Sequence, residues 1–80
     1  IKNKQIIASS HNTVLENHDP TAHAEINVIR AAAKILKTHD LSDCILIVNC
    51  EPCPMCLAAI IWSNIKEIYY AKRHKNIENI

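Results

Sequence analysis

Residues 44–63 read C-I-L-I-V-N-C-E-P-C-P-M-C-L-A-A-I-I-W-S, and the fold turns on this stretch. Residues 44–50 are rich in β-branched side chains and apolar on both faces, which predicts a buried strand with neighbours on either side. Pro52 and Pro54 stop it, because proline cannot donate to a strand ladder. Pro54 also suits the first turn of a helix, and residues 55–63 follow as a helix that is apolar nearly all round, implying burial.

Working outward, residues 66–71 (K-E-I-Y-Y-A) read as a further strand. Upstream, Asp19-Pro20 is a helix-start signal, with Asp as a cap and Pro at the first helical position. From there to about Thr38, Ile29, Ala32, Ala33 and Leu36 recur at i, i+3, i+4, i+7, and the Ala31-Ala32-Ala33 run adds propensity. Residues 39–43 are a polar break, residues 10–19 a polar loop, and the apolar residues 5–9 a first strand. The expected order is therefore β-α-β-α-β. It describes a layered α/β unit whose consecutive strands run parallel through right-handed crossovers. Residues 72–80 show no clear element.

The chain has 80 residues, 49% apolar and 21% charged, which is globular composition for one domain spanning residues 1–80. Nine basic against eight acidic residues leave a net charge of +1, so nothing predicts a polyanionic partner. The longest apolar runs, 44–48 and 57–62, are far too short to span a membrane, and the N-terminus lacks a secretory apolar core. There is no Gly and no Phe. Since turns with positive φ usually draw on glycine, the expectation is a piece of a longer protein. Ile26, Leu57, Ile60 and Ile61 add a large apolar surface, to be covered by further segments or by a second chain.

Cys50, Cys53 and Cys56 fall within seven residues, too close to bridge one another as a framework. Without a secretion signal, clustered cysteines near a histidine read as reduced metal ligands. His23, Cys53 and Cys56 supply three donors of the kind Zn²⁺ takes in tetrahedral sites. A fourth position would hold water, whose pKa zinc lowers towards neutrality, and Glu25 could shuttle its proton to a substrate nitrogen. Both half-sites lie at helix starts, where the dipole favours negative charge. One condition follows: residues two apart in a helix interior point about 200° apart, so His23 and Glu25 meet only if this helix end forms the site wall.

H-x-E…P-C-x-x-C is the signature of zinc-dependent nucleobase deaminases. The stretch D-P-T-A-H-A-E-I-N-V-I-R (19–30), followed by N-C-E-P-C-P-M-C-L-A-A-I-I-W (49–62), resembles the bacterial-type guanine deaminases of the cytidine-deaminase superfamily. The tRNA adenosine deaminases are close relatives; Pro54 between the cysteines and Trp62 six residues after Cys56 favour the guanine branch. The resemblance covers residues 6–71, about the middle of a family member, whose Gly ahead of the loop asparagine is replaced here by Ala8-Ser9-Ser10-His11.

From this resemblance follow a partial cytidine-deaminase-like three-layer α/β/α unit, zinc on His23, Cys53 and Cys56, and proton transfer by Glu25. It further implies a hydrogen bond from Asn12 to the purine, Trp62 lining the base pocket, and the Ala24 backbone at the ring edge. The implied reaction is hydrolytic deamination of a purine base, guanine to xanthine with release of ammonia. The implied partner is a small-molecule purine; a cytoplasmic homodimer is expected, with no membrane, and nucleic acid is kept as the less favoured partner.

Rival readings stand beside it. Adenosine deamination in tRNA shares the chemistry. A closed structural site on Cys50, Cys53, Cys56 and His23 would leave no open position. An iron–sulfur cluster would need a fourth Cys where Ile60 stands. Cys50 is otherwise expected as a buried, inert thiol, and Cys44 as a core or strand-edge residue. His11, His18, His39 and His74 are expected at the surface, and the run Lys72-Arg73-His74-Lys75 is expected to be solvated rather than bound to RNA.

Overall fold

The computed structural model describes residues 1–72, in the element order α1 (Val14–Asn17), α2 (Ala24–Leu36), β1 (Ile45–Cys50), α3 (Pro54–Trp62) and β2 (Glu67–Lys72). His74 and the rest of the basic run beyond Lys72 lie outside the described residues. The two strands pair in parallel, Ile45 opposite Glu67 and Cys50 opposite Lys72, so β1, α3 and β2 form the expected β-α-β crossover unit. Helices and strands alternate in an α/β fold, and α2 packs against α3.

The segment expected as a first strand does not join the sheet. Ile1 exchanges two backbone hydrogen bonds with Ile45, both 2.8 Å, and Lys2 bridges Gln5. Beyond that point Ile6, Ala8, Ser9 and Ser10 share the lining of a cleft of about 480 Å³ with β1, and no ladder joins the two among the described residues. In place of an unbroken loop over residues 10–19, the short helix α1 forms, its Val14 amide capped by the Asn12 side chain at 2.9 Å.

The long helix begins four residues later than the Asp19-Pro20 signal suggests. Asp19 spends its carboxylate on a local turn, accepting from the Thr21 amide at 2.9 Å and the Thr21 hydroxyl at 2.7 Å. These bonds hold the Asp19 carboxyl below the ordinary carboxylate range, with Arg30 adding a weaker attraction. Asp19 thus makes an Asx turn, and His23, with extended φ −67° and ψ 157°, becomes the N-cap of α2. At the other end Lys37 adopts the left-handed conformation (φ 54°, ψ 43°), and its amide closes on the Ala33 carbonyl.

This is how the chain manages without glycine. Positive φ falls on Asn3, Lys4, His18, Lys37 and Asn64, so side chains carry a strain that glycine would avoid. His18 and Lys37 stand at the C-caps of α1 and α2, and Asn64 follows the Ser63 cap of α3.

The core is small: Ala22, Ile26, Leu41, Cys44, Leu46, Cys56 and Ile60 are buried, with Ser63 the polar member. Ser63 is satisfied on both sides. Its hydroxyl donates to the Ile60 carbonyl at 2.8 Å, and its carbonyl accepts from the Leu41 amide at 2.8 Å.

Two burial expectations are corrected here. In α3 only the i, i+4 pair Cys56 and Ile60 is buried, while Leu57, Ile61 (66% exposed) and Trp62 are exposed. In β1, Leu46 is buried but Ile47 is 60% exposed and Cys50 is exposed. The physical reason is the same in both: each element has one packed side, and among the described residues nothing covers the other. Cys44 is buried, in the core. Among the described residues, no helix is long and apolar enough to cross a membrane.

Candidate metal centre

Two helix N-termini meet at one point. His23 is the N-cap of α2 and Cys53 the N-cap of α3, both in extended conformation, with Cys56 one turn into α3. The His23 imidazole makes no cap bond to its own helix and turns to the thiols instead. Its Nδ1 lies 3.5 Å from Cys56 Sγ and 3.7 Å from Cys53 Sγ. One ligand atom from each residue falls within 4.8 Å of the others.

These spacings fit a metal. With Zn–S of about 2.3 Å and Zn–N of about 2.0–2.1 Å, a tetrahedral ion sets N and S roughly 3.6 Å apart. His23, Cys53 and Cys56 are therefore positioned to bind a metal, two soft donors and one borderline. The Cys56 amide donates to Cys53 Sγ at 3.5 Å, the kind of contact that stabilises a thiolate at a helix start. Cys56, fully buried, has its thiol pushed well above the ordinary range, first by burial, then by hydrogen bonding to Cys53, then by the negative charge of Glu25. A bound cation reverses that balance, since a coordinated thiol is deprotonated.

The influence of Glu25 on Cys56 answers the condition set by helical periodicity. His23 escapes the 200° divergence because it is the non-helical cap residue, so ring and carboxylate share one end of α2. Ala24 and Glu25 also line the cleft of about 480 Å³, opposite Ser9, Ser10, Asn49 and Cys50, a volume within the usual small-molecule range. Cys50 is exposed and stands outside the donor group. The closed four-ligand arrangement has no support in this geometry.

The pattern of the cytidine and deoxycytidylate deaminase zinc-binding region matches residues 1–72. The chain belongs to this deaminase family. It is 51% identical over 74 residues to a guanine deaminase of Bacillus subtilis, covering 92% of this chain and 47% of that protein. A tRNA-specific adenosine deaminase of Buchnera aphidicola is 45% identical over 76 residues, covering 95% and 47%. The X-ray structure of the Bacillus subtilis guanine deaminase superposes with a TM-score of 0.92 at 48% identity, over 99% of this chain and 50% of that one. A structure solved in complex with 2,6-diaminopurine superposes at 0.83 with 38% identity, over 91% and 41%. The chain spans about half the length of the relatives it matches.

Within this deaminase fold, the two remaining expected substrate residues are not among those that line the cleft. Trp62 is 85% exposed at the last position of α3, six residues or about 9 Å of helix beyond Cys56. Asn12 is exposed, and its Oδ1 is taken by the Val14 amide. That bond assigns Oδ1 as the acceptor and Nδ2 as the amide's donor end.

Sequence reasoning passed over Asn27. Its Nδ2 donates to Thr13 Oγ1 at 2.8 Å, to the His11 carbonyl at 3.0 Å and to the Ala22 carbonyl at 3.3 Å. The available signal was a polar amide within the otherwise largely apolar run of residues 26–29.

Proposed function

We propose that the chain forms the zinc-bearing part of a hydrolytic purine deaminase that converts guanine and water to xanthine and ammonia. The observation that carries the proposal is the set of three protein donors, His23, Cys53 and Cys56, with the Glu25 carboxylate beside them. Zinc held by these three would act as a Lewis acid that makes water nucleophilic near neutral pH. Glu25 would carry one proton of the attacking water to a ring nitrogen of the purine and the other to the amino nitrogen, which leaves as ammonia while the carbon keeps the oxygen as a carbonyl. Ala24, next to Glu25 on the cleft wall, presents its backbone to the ring edge. Asn12, with its Oδ1 held by Val14, offers Nδ2 as a donor to an acceptor on the purine.

Guanine is favoured over adenosine in tRNA by the 51% identity to a guanine deaminase, by the neighbouring structure with a free diaminopurine, and by the near-zero net charge. Nucleic-acid binding draws on phosphate contacts and a basic face. The proposal includes a homodimer, in which the exposed Leu57, Ile61 and Trp62 meet other chain segments and Trp62 reaches a base pocket. Four free cysteines suit a reducing, cytoplasmic compartment. The test is ammonia release from the zinc-loaded protein with guanine and, separately, with tRNA. Turnover of guanine is expected; turnover of tRNA alone would reject the assignment.

A further inference from the structure

We infer that Asn27 is a positioning residue, an amide clamp that fixes the loop carrying Asn12 against the metal-bearing end of α2. The inference deepens the purine role proposed for Asn12 and rests on it. Asn27 sits half-buried in the second turn of α2 and makes none of its side-chain bonds within its own helix. Its amide donors meet three acceptors drawn from two other stretches: the His11 carbonyl, the Thr13 hydroxyl and the Ala22 carbonyl. An amide nitrogen has two hydrogens, so one is shared between acceptors, and three acceptors on one side leave its orientation unambiguous.

The bonds bracket one residue. His11 and Thr13 flank Asn12, and both are tied to Asn27. The Thr13 amide also donates to the Ala22 carbonyl at 2.9 Å, while Thr13 Oγ1 accepts a second bond, from Asn17 at 3.0 Å. Ala22, only 1% exposed, is the residue before His23. Asn27 therefore couples both neighbours of Asn12, His11 through its carbonyl and Thr13 through its hydroxyl, to the stretch of chain that presents the imidazole. Asn12 is exposed and its own bond reaches only Val14, so without the clamp the Thr13–Ala22 backbone bond alone among these contacts ties its loop to the metal-bearing helix end. A side chain that only propped up α2 would have no need of donors aimed at His11 and Thr13.

The test compares Asn27→Leu, Asn27→Asp, Thr13→Val, Thr13→Ser and Asn12→Ala in the zinc-loaded protein. Steady-state kinetics on guanine are combined with xanthine affinity by calorimetry, zinc content and thermal stability. Asn27→Leu and Thr13→Val are expected to raise KM for guanine and Kd for xanthine by about tenfold, with kcat and zinc content within about twofold. Asn27→Asp, which turns donors into acceptors facing acceptors, is expected to be worse than Asn27→Leu. Thr13→Ser, which keeps the hydroxyl, is expected to restore the parent values. The Asn12→Ala, Asn27→Leu double variant should be no weaker than Asn12→Ala alone. If Asn12→Ala raises KM and Asn27→Leu does not, the clamp is wrong and the purine role of Asn12 stands. If Asn12→Ala leaves KM and Kd unchanged, the purine role itself fails and the clamp with it. If Asn27→Leu and Thr13→Val lower kcat and zinc content together with affinity, Asn27 is general scaffolding and the inference is overturned.

Discussion

His23 Nδ1 stands 3.5 Å from Cys56 Sγ, although 33 residues separate the two in the chain. The contact exists because α2 and α3 pack together with their N-termini converging, each started by a metal-donor residue in extended conformation. Cys56→Ser and Cys53→Ser should therefore each lower zinc content from about one ion per chain to well under one. Cys50→Ala should leave it unchanged, since Cys50 is exposed and lies outside the donor group. Elemental analysis of the purified variants reads this directly. Loss of zinc in Cys50→Ala would mean a closed four-donor site.

Glu25 is close enough to raise the thiol pKa of Cys56, yet it is not one of the three clustered donors. Glu25→Gln keeps the shape and removes the basic carboxylate. It should bind zinc normally while kcat for deamination falls by about 10²–10⁴, the usual range for a general acid–base residue. Retained turnover at parental rates would take Glu25 out of the reaction.

The buried Cys56 thiol gives stability a pH dependence whose sign changes with metal. In the metal-free protein the folded state holds this proton above the ordinary thiol value, so the unfolded chain releases it first as pH rises. The stabilisation is complete below about pH 8.5, the ordinary cysteine value, and declines above it. The urea midpoint of metal-free protein should fall between about pH 8.5 and 10, with a shallower decline in metal-free Cys56→Ala. With zinc the thiolate is the bound form, so metal retention should instead weaken as pH drops. Equal slopes for parent and variant would show that Cys56 is not the group responsible.

The metal-donor cluster was more legible in the sequence than the packing. His23, Glu25, Cys53 and Cys56 are local signals: each owes its place to a helix start, and helix starts are written in capping residues and proline. Pro54 marked the start of α3, which runs one residue earlier at each end than the expected 55–63. Asp19 misled because the same carboxylate that can cap a helix can close a turn onto Thr21, and local hydrogen bonding decided between them. The burial of α3 and β1 was overestimated because apolar character says what a surface prefers, not which neighbour is present to cover it. Residues 5–9 are apolar enough for a strand, but pairing needs an edge within reach, and there Ile6, Ala8 and Ser9 line a cleft with β1 instead. Asn27 was invisible for a related reason: its three acceptors come from His11, Thr13 and Ala22, and only the folded loop brings them together.

Lys37 ends α2 in the left-handed region, where a β-carbon crowds the following carbonyl. Glycine relieves that contact and is the preferred residue at this cap. Lys37→Gly should stabilise the protein by about 1 kcal/mol, less than the full strain because glycine also loses more backbone entropy on folding. Urea denaturation at constant zinc would register a higher midpoint with an unchanged slope. A lower midpoint would mean that the Lys37 side chain makes a compensating contact.

Trp62 separates packing from recognition. At 85% exposed it contributes almost nothing to the core, so Trp62→Ala should leave the stability of the isolated chain within about 0.5 kcal/mol of the parent. A buried aromatic would cost about 3–5 kcal/mol on the same change. Ile60→Ala, two residues earlier in α3 and 1% exposed, serves as the contrast and should lose about 2–5 kcal/mol. If Trp62 belongs to a base pocket assembled with a second copy, its replacement should raise KM for guanine severalfold and weaken the dimer, while zinc content stays constant. Analytical ultracentrifugation and steady-state kinetics on the same preparations measure both. Unchanged KM and unchanged mass would remove Trp62 from the pocket and leave it an exposed side chain at the end of α3.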